Sequence, residues 1–124
     1  MQILAIDHIN IAGPRELLQR CRDFYIDVLG LTEGHRPPFR SRGFWLYAGG
    51  HPIVHLSEVA EAPARATGAF NHFALQCEGL EQAKARLAEL GLPYEVNEVP
   101  LTSSVQLFVT DPAGVGLELN FRTG

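Results

Sequence analysis

The stretch Ile6-Asp7-His8-Ile9-Asn10-Ile11 returns 64 residues later as Phe70-Asn71-His72-Phe73-Ala74-Leu75, with a histidine at the same place in each copy. Both alternate apolar and polar side chains, the period-two signature of a half-buried strand, and both are followed by a helical pattern. Further on, Trp45-Leu46-Tyr47, a Gly-rich turn and Ile53-Val54-His55-Leu56 match Phe108-Val109-Thr110, a second turn and Gly116-Leu117-Glu118-Leu119 at an offset of 63. Halves that hold register to within one residue identify a duplicated supersecondary unit. Each half reads as strand, helix and about three strands. The expectation is an α+β chain of one domain, 1–124, built from βαβββ modules at approximately 1–58 and 70–124. The run from Ser57 to Ala69, rich in Ala, Glu and Pro, is expected to link them.

The first helix is the clearest element. Pro14 suits a first helical turn, Leu17, Leu18, Cys21, Phe24, Tyr25, Val28 and Leu29 form one apolar stripe, and Gly30 can close the C-terminus. A second helix is expected from Leu80 to Leu90, with Gly91 and Pro93 as stop signals. Asp111-Pro112-Ala113-Gly114 has the chemistry of a type I turn between antiparallel strands.

Strand parity carries the functional reading. Leu117, Leu119 and Phe121 share one face and Glu118 and Asn120 the other; Val54 and Leu56 oppose His55. In the leading strands, Ile9 and Ile11 oppose His8 and Asn10, while Phe73 and Leu75 oppose His72 and Gln76. With the apolar faces under the helices, His8, His55, His72 and Glu118 all project from the opposite face. Three imidazoles and a carboxylate suit a divalent first-row metal such as Fe, Mn, Co, Ni or Zn. The repeat that aligns His8 with His72 also aligns His55 with Glu118, so the four are read together as one metal set. His35 and His51 have no repeat partners and read as surface residues.

Composition narrows the classes. Ten Lys and Arg against fourteen Asp and Glu give a net charge of −4, with the two signs interspersed. That argues against a nucleic-acid surface or a polybasic membrane contact. No stretch approaches the roughly 20 apolar residues of a membrane span, and Met1 to Pro14 lacks a basic leader before an apolar segment, so a cytoplasmic location is expected. Cys21 and Cys77 sit in apolar periodic settings without a CxxC and read as reduced core residues.

Four motifs, Asp7 to Ile11, Phe24 to Leu31, Asn71 to Ala74 and above all Asp-Pro-Ala-Gly-Val-Gly-Leu-Glu-Leu at 111–119, together resemble the vicinal oxygen chelate superfamily. That group includes glyoxalase I, fosfomycin-resistance thiol transferases, extradiol dioxygenases and bleomycin-binding proteins. The resemblance covers essentially the whole chain. It implies paired βαβββ modules forming a curved, cup-shaped mixed sheet around a metal, with helices on the outer face. His8 matches the first-strand ligand, His72 the ligand opening the second module, and Glu118 the ligand on the last strand. At position 55 glyoxalase I typically carries glutamate, so His55 replaces a carboxylate that could assist proton transfer.

The resemblance further implies a metal-dependent glyoxalase-like enzyme that chelates a small oxygenated substrate, acting as a lyase, isomerase or thiol transferase and pairing as a homodimer. Glu118, the one carboxylate of the set, is the candidate catalytic base. The basic segment Glu33 to Arg42 reads as a loop able to meet an anionic or carbonyl-bearing molecule, with Arg42 as a substrate contact. A two-residue hairpin at Gly49-Gly50 places Phe44 beside His55 as a second contact and turns Trp45 toward the helix; a longer loop swaps them. Two other readings stand beside this one: an Fe(II)-dependent extradiol ring-cleaving dioxygenase, and a non-catalytic drug- or metabolite-binding resistance protein.

Overall fold

The computed structural model of the chain describes residues 1–61 and 70–122. Its contacts divide into two compact units, Met1–Ala64 and Arg65–Gly124. The first runs β1 (Ile9–Gly13), α1 (Arg15–Leu29), β2 (Thr32–Gly34), β3 (Gly43–Ala48) and β4 (His51–Glu58). The second repeats that order as β5 (His72–Cys77), α2 (Leu80–Glu89), β6 (Glu95–Glu98), β7 (Ser104–Thr110) and β8 (Gly116–Arg122). Hydrogen bonding gives each unit a four-stranded mixed sheet, ordered β1-β4-β3-β2 and β5-β8-β7-β6. In both, the first strand lies parallel to the last and the other pairs are antiparallel. The α+β class and the duplicated βαβββ order are as the repeat indicates.

Local chemistry explains the elements. α1 buries Leu18, Cys21, Phe24 and Tyr25 of the expected stripe, leaves Leu17, Val28 and Leu29 half-buried, and packs on β1, β3 and β4. Gly30 ends the helix in the left-handed region at φ 72°, its N–H donating to the Ile26 carbonyl while Leu31 N–H reaches Tyr25. A residue with a Cβ adopts that conformation only at a cost. Beneath α1 lie Leu46, Val54 and Leu56, all fully buried. In the second unit Leu87 of α2, Leu107, Val109, Leu117, Leu119 and Phe121 form the buried set. Burying each such side chain stabilises by about 1.5–3 kcal/mol. Among the described residues no helix is long and apolar enough to cross a membrane.

Three expectations change. β4 continues through Ser57 and Glu58, which pair with Ala12 and Gly13 of β1, so these two residues belong to the sheet rather than to a linker; residues 62–69 of that expected linker lie outside the described residues. β1 starts at Ile9, leaving Ile6, Asp7 and His8 ahead of the strand. The β1 ladder begins opposite Val54, and Pro52, two residues earlier on β4, has no N–H with which to extend it. The third change is register. The two-residue loop at Gly49-Gly50 does form, with Ala48 opposite His51, but a bulge at Leu46/Tyr47 shifts the remaining pairs by one. Trp45 therefore pairs with His55, and Phe44 pairs with Leu56 on the helix side. A one-residue slip exchanges the faces of every side chain beyond it.

Candidate metal centre

In the first unit His55, Trp45 and Asn10 share one sheet face, since His55 is the register partner of both. The His55 ring is sandwiched between His8, at 3.8 Å between centroids, and Trp45, at 4.0 Å, with interplanar angles of 14° and 11°. His8 Nδ1 lies 2.8 Å from Asp7 Oδ1. An ionised carboxylate only accepts, so Nδ1 carries the proton and the lone pair of neutral His8 is on Nε2. His55 is held the other way round: its Nε2 lies 3.1 Å from the Pro52 carbonyl, which also only accepts, so its lone pair is on Nδ1. Burial first, and the neighbouring His8 second, push the His55 pKa below the ordinary histidine value. Asp7 is held below the usual carboxylate range chiefly by the His8 hydrogen bond.

The second unit repeats the device. His72 opens β5, and its Nδ1 lies 2.6 Å from Asn71 Oδ1, the repeat partner of Asp7. With Nδ1 donating to Asn71, neutral His72 keeps its lone pair on Nε2, which lies 3.6 Å from Glu118 Oε1, too long for a hydrogen bond. Glu118 is only 9% exposed, and its other oxygen accepts from Asn120 Nδ2 at 3.4 Å. Gly116 stands opposite His72 in the ladder; a Cβ there would meet the Asn71 carbonyl oxygen at 2.7 Å and His72 Cβ at 2.9 Å. The close approach fixes where the imidazole sits. Phe108 pairs with Glu118 and meets His72 edge-on at 6.3 Å between centroids.

Each unit therefore brings together two of the four expected ligands and one aromatic ring. Among the described residues no group of three or more His, Cys, Asp or Glu side chains suited to a metal ion occurs. The donor chemistry nevertheless fits a divalent ion. Two imidazoles have Nδ1 tied to a side-chain oxygen and Nε2 left as a donor atom, the arrangement that metal-binding histidines show. In neutral His72 that lone pair faces a buried carboxylate, a contact that a cation held by both residues would relieve. His55 is less ready: its ring lies face to face with His8, 14° from parallel and 3.8 Å between centroids, and is stacked on Trp45 on its other side. It can join His8 on one ion only by turning away from Trp45.

The expected substrate contacts lie elsewhere. Phe44 faces α1, with the Arg22 guanidinium 4.8 Å above its ring, and it lines a cavity there together with Arg42. The aromatic beside His55 is Trp45, and a signal for it was present in the sequence, because the repeat aligns Trp45 with Phe108. His35 and His51 are exposed, but His51 Nε2 donates to the Asp7 carbonyl at 2.8 Å and so anchors the segment that carries His8. Cys21 and Cys77 form no disulfide, and burial raises the Cys77 pKa, which disfavours a thiolate.

Residues 5–119 match the family model described as the Glyoxalase/Bleomycin resistance protein/Dioxygenase superfamily. "Glyoxylase I 4" of Arabidopsis thaliana is 27% identical over 129 residues, covering 96% of this chain and 71% of that protein. Among solved structures, a putative glyoxalase family protein from Bacillus anthracis superposes with a TM-score of 0.79 at 21% identity, covering 98% of both chains. A mutant of the fosfomycin resistance protein FosX from Listeria monocytogenes, solved with Mn(II) and 1S,2S-dihydroxypropylphosphonic acid, gives a TM-score of 0.67 at 17% identity, covering 99% of this chain and 94% of that one. The duplicated fold order and the match over residues 5–119 agree: the chain belongs to the Glyoxalase/Bleomycin resistance protein/Dioxygenase superfamily.

Proposed function

We propose that this protein is a divalent-metal-dependent, glyoxalase-like enzyme acting on a small oxygenated molecule, with His8, His55, His72 and Glu118 as its metal set. The observation that carries the reading is the His72 lone pair, fixed by Asn71, facing the buried Glu118 carboxylate at 3.6 Å. His8, held by Asp7, presents the same nitrogen, and His55 joins as the fourth ligand when its ring turns from Trp45. The pairing of a first-unit half with a second-unit half, in one chain or across a homodimer, is part of the proposal.

A bound divalent ion supplies Lewis acidity, stabilising negative charge on a substrate oxygen and acidifying the groups attached to it. Glu118 contributes the only carboxylate of the set and serves as the proton acceptor; Asn120 donates to its Oε2 at 3.4 Å, while Oε1 faces His72. Trp45 and Phe108 contribute flat apolar surface beside the two half-sites. The mutant FosX structure, with its vicinal diol and Mn(II), is a relative's example of an oxygen-rich ligand and metal on this fold.

The experiment is a screen of metal-loaded protein against 2-oxoaldehyde–thiol adducts, catechols and epoxide antibiotics. It is followed by Glu118→Gln with metal content verified. Loss of roughly 100-fold or more with metal retained supports the proton-transfer role. Full activity of that variant removes the role, and activity undiminished by complete metal removal overturns the metalloenzyme reading. The stacking of His55 favours one second reading, because it leaves His8, His72 and Glu118 as a two-histidine, one-carboxylate set of the kind that holds Fe(II) in oxygenases. Oxygen uptake with a catechol would select it.

A further inference from the structure

On the helix side of the first unit, the start of α1, the segment before β3 and the end of β4 border an open cavity of about 550 Å³. Its walls include Leu18, Pro37, Pro38 and Phe44, and its charged residues are Arg15, Arg36, Arg42 and Glu58. Phe44 pairs with Leu56 and looks toward α1, whereas Trp45 and His55 look the other way, so the sheet itself separates this cavity from the candidate metal residues. Three guanidinium groups against one carboxylate make the lining net positive in a chain of net charge −4.

Arg36 is held in place. Its two terminal nitrogens donate to the Ser41 carbonyl at 2.9 Å and the Ser41 hydroxyl at 3.2 Å, and its guanidinium lies 4.9 Å over Phe39. Gly43 makes room for it: a Cβ there would fall 3.0 Å from Arg36 Nε and 2.0 Å from the Leu56 carbonyl oxygen. Arg36 Nε, however, is buried and has no hydrogen-bond partner among the described residues. A buried donor on a cation is costly while it is unpaired, and an oxyanion drawn in beside it would relieve that cost. Glu58 is engaged by Arg15, at 3.5 Å from Nε to Oε1.

We infer that this cavity binds a small organic oxyanion, a carboxylate or phosphate monoester on an apolar body, with Arg36 and Arg42 taking the anion and Leu18, Pro37, Pro38 and Phe44 the body. The volume falls within the roughly 300–1,000 Å³ of small-molecule sites, and planar guanidinium groups match two oxygens of such anions. The inference does not depend on the metal proposal.

Calorimetric titration of the full chain with phenyl phosphate, phenylacetate and uncharged phenol tests it. Saturable binding of at least one anion and none of phenol is expected. Arg36→Met should weaken that binding at least about tenfold, the loss of a charge-assisted pair. Glu58→Gln should tighten it by releasing Arg15, and His72→Ala should leave it unchanged. The stronger of the two anions identifies the headgroup. Binding of neither anion overturns the inference, as does an affinity that ignores both Arg36→Met and Glu58→Gln, or one abolished by His72→Ala. If Arg36→Met does not fold, Arg42→Ala takes its place beside Glu58→Gln, and the same outcomes decide.

Discussion

Replacing Asp111 by Ala tests how the turn before β8 fixes the strand that carries Glu118. Asp111 is 4% exposed, and its Oδ1 accepts from the N–H groups of Ala113, at 2.8 Å, and Val115, at 2.9 Å. Two backbone bonds, Gly114 N–H to Asp111 O and Asp111 N–H to Val115 O, both 3.0 Å, complete the turn and survive the substitution. Alanine therefore strands two donors. An unpaired buried donor costs about 1–3 kcal/mol, and the half-buried Ala113 N–H recovers part of its share from water, so the loss should be about 2–4 kcal/mol. With about 2.1 cal/mol/K of unfolding entropy per residue, a chain of 124 residues loses about 4 °C per kcal/mol, or about 8–15 °C in all. Asp111→Asn keeps the acceptor oxygen and should cost less than about 1 kcal/mol. Urea unfolding followed by circular dichroism measures both, with the denaturant slope unchanged. An Ala variant within about 0.5 kcal/mol of wild type refutes the acceptor role. An Asn variant as weak as Ala would refute it too, and would place the effect in the charge.

Other outcomes follow from the half-sites. Asp7→Ala and Asn71→Ala should each weaken metal affinity about 10–100-fold in a competition titration, because each frees an imidazole to rotate and change tautomer. In metal-free protein, His55 should titrate below the ordinary value of about 6.5 by NMR, and Trp45→Ala should bring it back up by admitting water. Because the folded state resists protonating His55, the unfolded chain binds more protons just below that value, and stability should fall as pH drops through the window and then level off. Sedimentation at micromolar concentration should give twice the chain mass; a monomer would contradict the homodimer.

His72 and Glu118 were legible because period-two alternation and the internal repeat both placed them on the face opposite Leu117 and Leu119, and no bulge intervenes in β5, β7 or β8. Trp45 was not, although the two-residue turn at Gly49-Gly50 does form. The Leu46/Tyr47 bulge costs one residue, and strand parity cannot survive that. The repeat could have corrected it, since Trp45 aligns with Phe108, which faces Glu118 by plain antiparallel counting. The roles of Asp7 and Asn71 are not legible in the sequence alone. Their recurrence before each histidine is visible in the sequence, but which ring nitrogen they hold depends on side-chain direction. The same is true of the stacking of His8, His55 and Trp45, which decides how ready His55 is to bind.

Elemental analysis of the purified full chain, beside His72→Ala and Glu118→Ala, bears most directly on the metal centre. About one divalent ion per chain is expected in the wild type, since one set of three imidazoles and a carboxylate makes one site. Little or no metal is expected in either variant, with circular dichroism unchanged because neither side chain belongs to the apolar face. Equal metal content in all three proteins would contradict the proposed site.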